Sequence, residues 1–218
     1  MPEKSTRSEK NSGAGEPGSA GVDAPSPAEP ATPPAQPTPT EPPGVEAPGV
    51  ELPGVEPQGV EADVFREALA HWASGVTVVT VRDPDDGKIY GTTVSSLVSV
   101  SATPPRIAFS LGPGAQVLPF LKPGRRFVVN ILAEEQDELA DRFTDPFPVG
   151  VPAFPPEGDP TIAGSHQRLI CRVDGFVPVG PSRIVVGLVV GTQAGEGRRP
   201  LLYHQRGYRG LAEGVTDE

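Results

Sequence analysis

The sequence predicts a mainly β fold: a barrel of short strands with a few short accessory helices. Three observations carry this. From residue 62 onward, runs rich in Val, Ile, Thr and Phe recur at short spacing, separated by turns of Gly, Pro and Asp. Helical periodicity is confined to short stretches, chiefly 63–73 and 134–143. The segment Gly91-Thr92-Thr93-Val94-Ser95-Ser96-Leu97-Val98-Ser99-Val100-Ser101-Ala102-Thr103-Pro104-Pro105 alternates small hydroxylated residues with apolar ones and stops at a Pro pair. Period-2 alternation marks a half-buried strand. Its polar face is built from Ser and Thr rather than charges, so a flat polar ligand or its phosphate can come close to the backbone. An ordinary strand with a Ser/Thr solvent face fits the same pattern, because Thr favours strands by itself.

The first 61 of the 218 residues do not share this pattern. They contain no aromatic residue and 14 of the 29 prolines, with three Lys/Arg against ten Asp/Glu. That tail supplies −7 of the chain's net charge of −10. With so few bulky apolar groups it cannot offset its ordering entropy, and residues 1–61 read as a disordered tail before a single domain, 62–218. Within the tail, Gly-Val-Glu recurs every five residues at 44, 49, 54 and 59. A period of five matches neither a helix nor a strand face, which suggests an extended, self-repelling spacer. A segment that docks a partner is the alternative.

Along the domain, residues 63–73 predict a short helix with Phe65, Leu69 and Trp72 on one face, stopped by Gly75. His71 falls on the opposite, surface side. Val76–Val81 predicts a buried strand, Asp83-Pro84-Asp85-Asp86-Gly87 a hairpin turn, and Ile89 to Ser96 the returning strand. Strands follow at Val98–Ser101, Arg106–Leu111 and Arg126–Leu132, with a short helix over Gln116–Leu121. Glu134–Phe143 predicts an amphipathic helix with Leu139 and Phe143 on one face. Residues 144–164, rich in Pro and Gly, read as a long loop of the functional or mobile kind. Three late strands are expected at roughly 167–179, 182–193 and 200–204.

Several chemistries are excluded or disfavoured. The single cysteine, Cys171, sits in an apolar strand pattern and reads as buried and inert. The three histidines, His71, His166 and His204, have no paired metal-ligand spacing, so no metal site is expected. There is no Walker loop. Gly164-Ser165-His166 is not a nucleophile elbow, and Gly112-Pro113-Gly114-Ala115 lacks the third glycine of a dinucleotide loop. No run of 18 apolar residues suggests a membrane span, and no basic run suggests nucleic acid. The N-terminus lacks the apolar stretch of a signal peptide, so a cytoplasmic protein is expected.

Taken together and in order, several segments resemble the flavin reductase family with the FMN-binding split-barrel fold. They are Phe65–Thr80, Gly91–Pro105, Phe127–Leu132, Gln136–Phe143, Leu169–Cys171, Ile184–Val189 and Pro200–Tyr203. Such reductases feed reduced flavin to two-component monooxygenases. The resemblance, over 62 to about 211, implies FMN or FAD with NAD(P)H as hydride donor, a homodimer, and a partner monooxygenase. It places flavin contacts at Ile89, Tyr90, Gly91, Thr92 and Thr93, at Ser95 and Ser96, at Ser110, Leu111 and Gly112, near Gln116, and at Arg142 and Phe143. In these roles backbone N–H groups near Gly91 and Thr92 would meet the ring, Ser95 and Ser96 the ribityl or phosphate oxygens, and Arg142 a phosphate. Relatives often carry Gly-Asp-His where this chain has Pro181-Ser182-Arg183. Arg183 then becomes a candidate for the 2′-phosphate of NADPH. A flavin enzyme needs no catalytic triad, since the ring carries the redox chemistry. A flavin-retaining oxidoreductase with another reductant, or a non-enzymatic flavin-binding partner, are the alternatives.

Overall fold

The β-branched run after Gly75 builds the centre of the molecule, and it does so with almost no solvent contact: Val78, Val79 and Val81 are all buried. The computed structural model describes residues 59–145, 153–197 and 199–212. In chain order its elements are α1 (Ala62–Ala70), β1 (Ser74–Gly75), β2 (Thr77–Arg82), β3 (Ile89–Val94), β4 (Val98–Ala102), β5 (Pro105–Leu111) and β6 (Arg126–Ile131). After these come α2 (Asp137–Arg142), β7 (Gln167–Val179), β8 (Ser182–Ala194), β9 (Leu202–His204) and β10 (Gly207–Arg209). Residues 1–58, which hold nearly all of the expected tail and most of its repeats, lie outside the described residues.

Seven strands form one sheet in the order β3-β2-β6-β7-β8-β5-β4. Its edge strands, β3 and β4, are consecutive in the chain and joined by residues 95–97 alone. A flat sheet would separate its two edges by about 29 Å, six spacings of about 4.8 Å. Four residue steps reach only about 14 Å. The sheet must therefore roll until its edges meet. Ser96 stitches that seam: its hydroxyl accepts from the Ser110 N–H (3.0 Å) and bonds the Ser110 hydroxyl (3.1 Å). Within the described residues β3 pairs with β2 and β4 with β5, but not with each other. That is a split barrel.

The hydroxyl-lined run is thus two strands, as expected from the sequence, and they lie on opposite edges of the sheet, divided at Ser95-Ser96-Leu97. The barrel interior holds Val79, Val81, Phe109, Val117, Phe127, Val129, Cys171 and Val185. Phe109 and Phe127 meet edge to face there, centroids 5.8 Å apart. Burial pushes the Cys171 thiol up to about 12, which keeps it protonated and unreactive. A second cluster, Val76, Val78, Leu132, Ala140, Phe143, Ile162 and Leu201, packs α2 against the outer face of β2 and β6.

Four expectations are corrected. The helix expected over 63–73 is α1, which ends at Ala70 and has no buried residue: Phe65 is 53% exposed and Leu69 54%, with Trp72, beyond its end, at 74%. Its apolar face meets no core among the described residues. The helix expected over 116–121 is a single 3-10 turn at Leu118–Phe120. The helix expected over 134–143 starts as a 3-10 turn, Glu134–Gln136, before α2. The last expected strand is a hairpin, β9–β10, completing a three-stranded sheet β1-β9-β10. Its turn is Gln205-Arg206, both at positive φ (50° and 59°). This backbone normally calls for Asn or Gly, so the sequence carried no turn signal.

The loop after α2 is tied down over its described half, 153–164. Arg82 donates to the carbonyls of Pro155 (2.5 Å) and Gly158 (3.3 Å), and Thr80 Oγ1 to that of Pro160 (2.6 Å). Buried Arg168 donates to the Ile162 carbonyl (2.9 Å) and to Glu196 (2.7 Å). The Arg168 guanidinium and the Gly164 N–H hold the Glu196 carboxyl below its ordinary range.

Candidate functional site

The edge of β3 carries the candidate site. In an antiparallel pair, alternate residues turn their N–H and C=O away from the partner strand. The Thr93 N–H donates away from β2, to the Phe143 carbonyl (3.1 Å). Gly91, two residues earlier, therefore turns its own N–H and C=O off the sheet, and neither has a partner among the described residues. They face a cavity of about 320 Å³ lined by Gly91, Thr92, Gly112, Gly114, Ala115, Gln116, Phe143, Thr144 and Asp145. A side chain at Gly112 or Gly114 would project into open space. The wall there is bare backbone.

Two further cavities continue this one along the hydroxyl-lined edge. Thr144 is shared with a cavity of about 520 Å³ whose walls include Thr93, Ser95, Asp141, Tyr203, Arg206 and Tyr208. Ser95, Tyr203 and Arg206 are shared in turn with a third, of about 580 Å³, under the exposed face of α1. The result is one groove from Gly112 past Gly91 and Ser95 to Trp72.

The expected site residues divide accordingly. Gly91, Thr92, Gly112, Gln116 and Phe143 line the first cavity, Thr93 and Ser95 the second, Ser95 and Ser96 the third. Ile89 is half-buried at the start of β3 and shares the outward backbone direction of Gly91. Ser110 lies at the seam, bonded to Ser96. Tyr90 instead stacks on Phe120 (centroids 4.0 Å apart), with the Lys88 ammonium 5.3 Å from its ring. Leu111 is buried in the barrel core. Phe143 belongs to the second core cluster and shows only an edge to the groove. Arg142, the last residue of α2, lies 3.4 Å from Glu138. Arg183, exposed, stands opposite Leu111 in the β5–β8 ladder, one residue from the Gly112 wall.

Hydroxyls on this edge are not equivalent. Thr93 Oγ1 donates to the Ala140 carbonyl (2.7 Å), so together with its N–H it clamps β3 to α2. The Thr92 and Ser95 hydroxyls and the Gln116 amide have no partner among the described residues. Thr93→Val is accordingly expected to cost about 1 kcal/mol of stability, the net worth of one hydrogen bond. Ser95→Ala should leave stability unchanged while weakening ligand binding. Chemical denaturation of both variants, beside a ligand titration, checks the distinction.

A family model described as flavin reductase like domain matches residues 69–212. The chain belongs to the flavin reductase family. It is 38% identical over 153 residues to the reductase component of 4-hydroxyphenylacetate 3-monooxygenase from Thermus thermophilus, covering 68% of this chain and 96% of that one. It is 33% identical to an NADH:FMN oxidoreductase of Rhodococcus qingshengii, covering 66% of this chain and 79% of the relative. The solved flavin reductase of styrene monooxygenase from Pseudomonas putida S12 superposes with a TM-score of 0.62 at 29% identity. That match covers 69% of this chain and 99% of the other.

In this flavin reductase the groove also contains residues that the sequence did not point to: Asp141, Thr144, Tyr203, Arg206 and Tyr208. The Tyr208 hydroxyl donates to Asp141 Oδ1 (2.9 Å), and burial together with that carboxylate pushes its pKa up, so it stays a donor at neutral pH. Arg206 pairs with Glu67 of α1 (2.7 Å). The one available signal was the spacing of Tyr203 and Tyr208, which puts both rings on one face of a two-residue hairpin, 5.6 Å apart. The described residues contain no group of His, Cys, Asp and Glu able to hold a metal ion, and no helix long and apolar enough to cross a membrane.

Proposed function

We propose that this chain is the reductase component of a two-component flavin-dependent monooxygenase, binding FMN or FAD in the groove along β3 and passing it hydride from NAD(P)H. One observation carries the reading: the backbone N–H and C=O of Gly91 and the hydroxyls of Thr92 and Ser95, none with a partner among the described residues, face a groove walled by Gly112 and Gly114. A flavin ring has donors and acceptors alternating along one edge and needs flat access, which bare strand backbone provides. When bound, the flavin supplies the redox chemistry, taking up the hydride and leaving with it. The chain's part is to bind, orient and desolvate. Gly91 and Thr92 meet the ring edge, Ser95 and Gln116 the ribityl and phosphate oxygens, and Phe143 backs the pocket against water.

Arg183 is the candidate for donor choice. A permanent cation beside the Gly112 wall can meet the 2′-phosphate of NADPH, where an imidazole could not hold its charge at neutral pH. The ratio of NADPH to NADH kcat/KM should fall in Arg183→Ala. An equal ratio in wild type and variant removes the residue from donor selection. The reductase works as a homodimer: Val64, Phe65 and Leu69 of α1, Trp72 just beyond it, and Val98 and Val100 of β4 are exposed apolar residues, of a kind that a second copy would cover. Light scattering should give twice the chain mass for wild type, and Leu69→Asp with Trp72→Asp should give the monomer. The cytoplasm, where reduced nicotinamide nucleotides are held, is where this reaction belongs.

Anaerobic oxidation of NADH and NADPH, with FMN and FAD each supplied and followed at the flavin absorbance, tests the activity. Bleaching of either flavin by either donor is expected. Flavin bound without any nicotinamide oxidation would reject the reductase reading.

A further inference from the structure

At the Arg82 end of β2, beyond the Tyr90–Phe120 stack, lies a separate cavity of about 830 Å³. Its walls come from the β2–β3 hairpin, the turn before β6, the loop at 158–160, and β7. They carry Arg82, Lys122, Arg125, Arg126 and Arg172 against one carboxylate, Asp159. Residues 62–218 hold 15 Lys/Arg and 18 Asp/Glu. Five cations around one cavity of a net acidic domain are therefore not a by-product of basic composition.

Only one of the five is neutralised. Arg126 makes a two-point ion pair with Asp159 (3.0 and 2.7 Å). Arg82 donates to the carbonyls of Pro155, Gly158 and Gly87, which fix its position without cancelling its charge. The side chains of Lys122, Arg125 and Arg172 have no partner among the described residues. Among the described acids near the cavity but outside its lining, only Asp174 is drawn off by another cation. Asp83 and Asp86 accept the N–H groups of Asp85 and Lys88 within the hairpin, and Asp174 pairs with Arg106 (2.6 Å).

The free cations stand on stiff backbone. The Gly124 N–H donates to the Val173 carbonyl (2.8 Å), the Val173 N–H to that of Arg125 (2.9 Å), and the Arg125 N–H to that of Lys122 (2.9 Å). Gly124 sits at φ +76°, a turn conformation that suits glycine. Arg172 faces Arg126 across the β6–β7 ladder. Four uncompensated positive charges held this close call for an anion that carries several charges. A single carboxylate would leave most of them unmatched. A pyrophosphate or longer phosphate chain brings two or more charges and many acceptor oxygens, and guanidinium forks fit phosphate geometry.

We infer that this cavity binds a polyphosphate group, at a site separate from the flavin groove. The group can arrive as free polyphosphate or as the pyrophosphate of a dinucleotide. The probe is inorganic tripolyphosphate, titrated calorimetrically into the full chain without flavin or nicotinamide, at constant ionic strength against sodium chloride. The readout thus does not depend on reductase activity. Saturable binding is expected, with a rise in Tm, and affinity should fall at least tenfold in the triple variant Lys122→Gln, Arg125→Gln, Arg172→Gln. Those three side chains hold nothing else in place. Should the triple variant not fold, the exposed single change Lys122→Glu carries the same expectation. Equal affinity in wild type and variant, or no binding by wild type, overturns the inference. FMN and FAD titrations separate the two sources. Weaker FAD with unchanged FMN in the variant identifies the dinucleotide's pyrophosphate. Unchanged binding of both flavins and of NADPH, with tripolyphosphate lost, identifies free polyphosphate.

Discussion

Asn130→Ala is expected to destabilise the domain by about 2–4 kcal/mol, a large share of the roughly 5–15 kcal/mol that holds a domain together. Asn130 is fully buried near the end of β6. Its Nδ2 donates to the Val78 carbonyl (3.0 Å) and to Thr80 Oγ1 (3.0 Å), and its Oδ1 accepts the Ile162 N–H (2.9 Å). Thr80 in turn donates to the Pro160 carbonyl. One amide thus joins two neighbouring strands to the loop that packs over them. Alanine would leave the Ile162 N–H buried without an acceptor and open a void beneath it. The transition midpoint should fall by about 10 °C at the usual scaling for a domain of this size. Limited proteolysis should cut within 153–164 before the barrel unfolds. A loss under 1 kcal/mol, with the loop still protected, would show that water replaces the amide without cost.

The parts of this fold that were legible in the sequence are those decided by neighbours in the chain. The β2–β3 hairpin is one: Thr77 to Arg82 is β-branched and apolar, Asp83 to Gly87 has turn chemistry, and both strands pair in the register this implies. The roll of the sheet is another matter. It follows from β5 pairing with β8 and β4 lying beyond it, and nothing in residues 95–97 says that two sheet edges must meet there. Helix α1 shows the limit of periodicity. Phe65, Leu69 and Trp72 do share a face, but the pattern cannot say whether that face is covered by this chain or by another. The same holds at the site. Glycines 91 and 112 stood out, and both line the groove. That the Thr93 hydroxyl is occupied by Ala140, while those of Thr92 and Ser95 have no partner among the described residues, depends on where α2 docks. The Tyr208–Asp141 pair is a contact 67 residues apart in sequence, formed by a hairpin with an atypical turn.

Gly91→Ala should damage both the fold and the flavin site, because a Cβ at that position has nowhere to go. It would stand 2.5 Å from Phe143 Cε1 and 2.7 Å from Cδ1, well inside van der Waals contact. Space rather than conformation demands glycine here, since Gly91 is not among the positive-φ positions. Nor can the Phe143 ring simply swing aside. It is 3% exposed, packs with Val76, Val78, Leu132 and Ala140, and meets Phe154 edge to face at 6.5 Å. The backbone of residue 143 is held by the Thr93 N–H. The edge of β3 must therefore move outward, at about 1–3 kcal/mol for an overpacked methyl. That movement displaces the Gly91 N–H and C=O proposed to meet the flavin ring, and a shift of about 1 Å at a reacting centre can cost about 100-fold in rate. The expected result is a lower Tm and at least a tenfold fall in kcat/KM for FMN. Shrinking the ring should relieve the overlap. In the double variant Gly91→Ala, Phe143→Leu the two changes should be less damaging together than their summed single effects, a coupling that neighbours sharing one contact show. Stability and FMN reduction both unchanged in Gly91→Ala would mean that the ring yields freely, and the flavin would then have to be sought elsewhere than against this edge of β3.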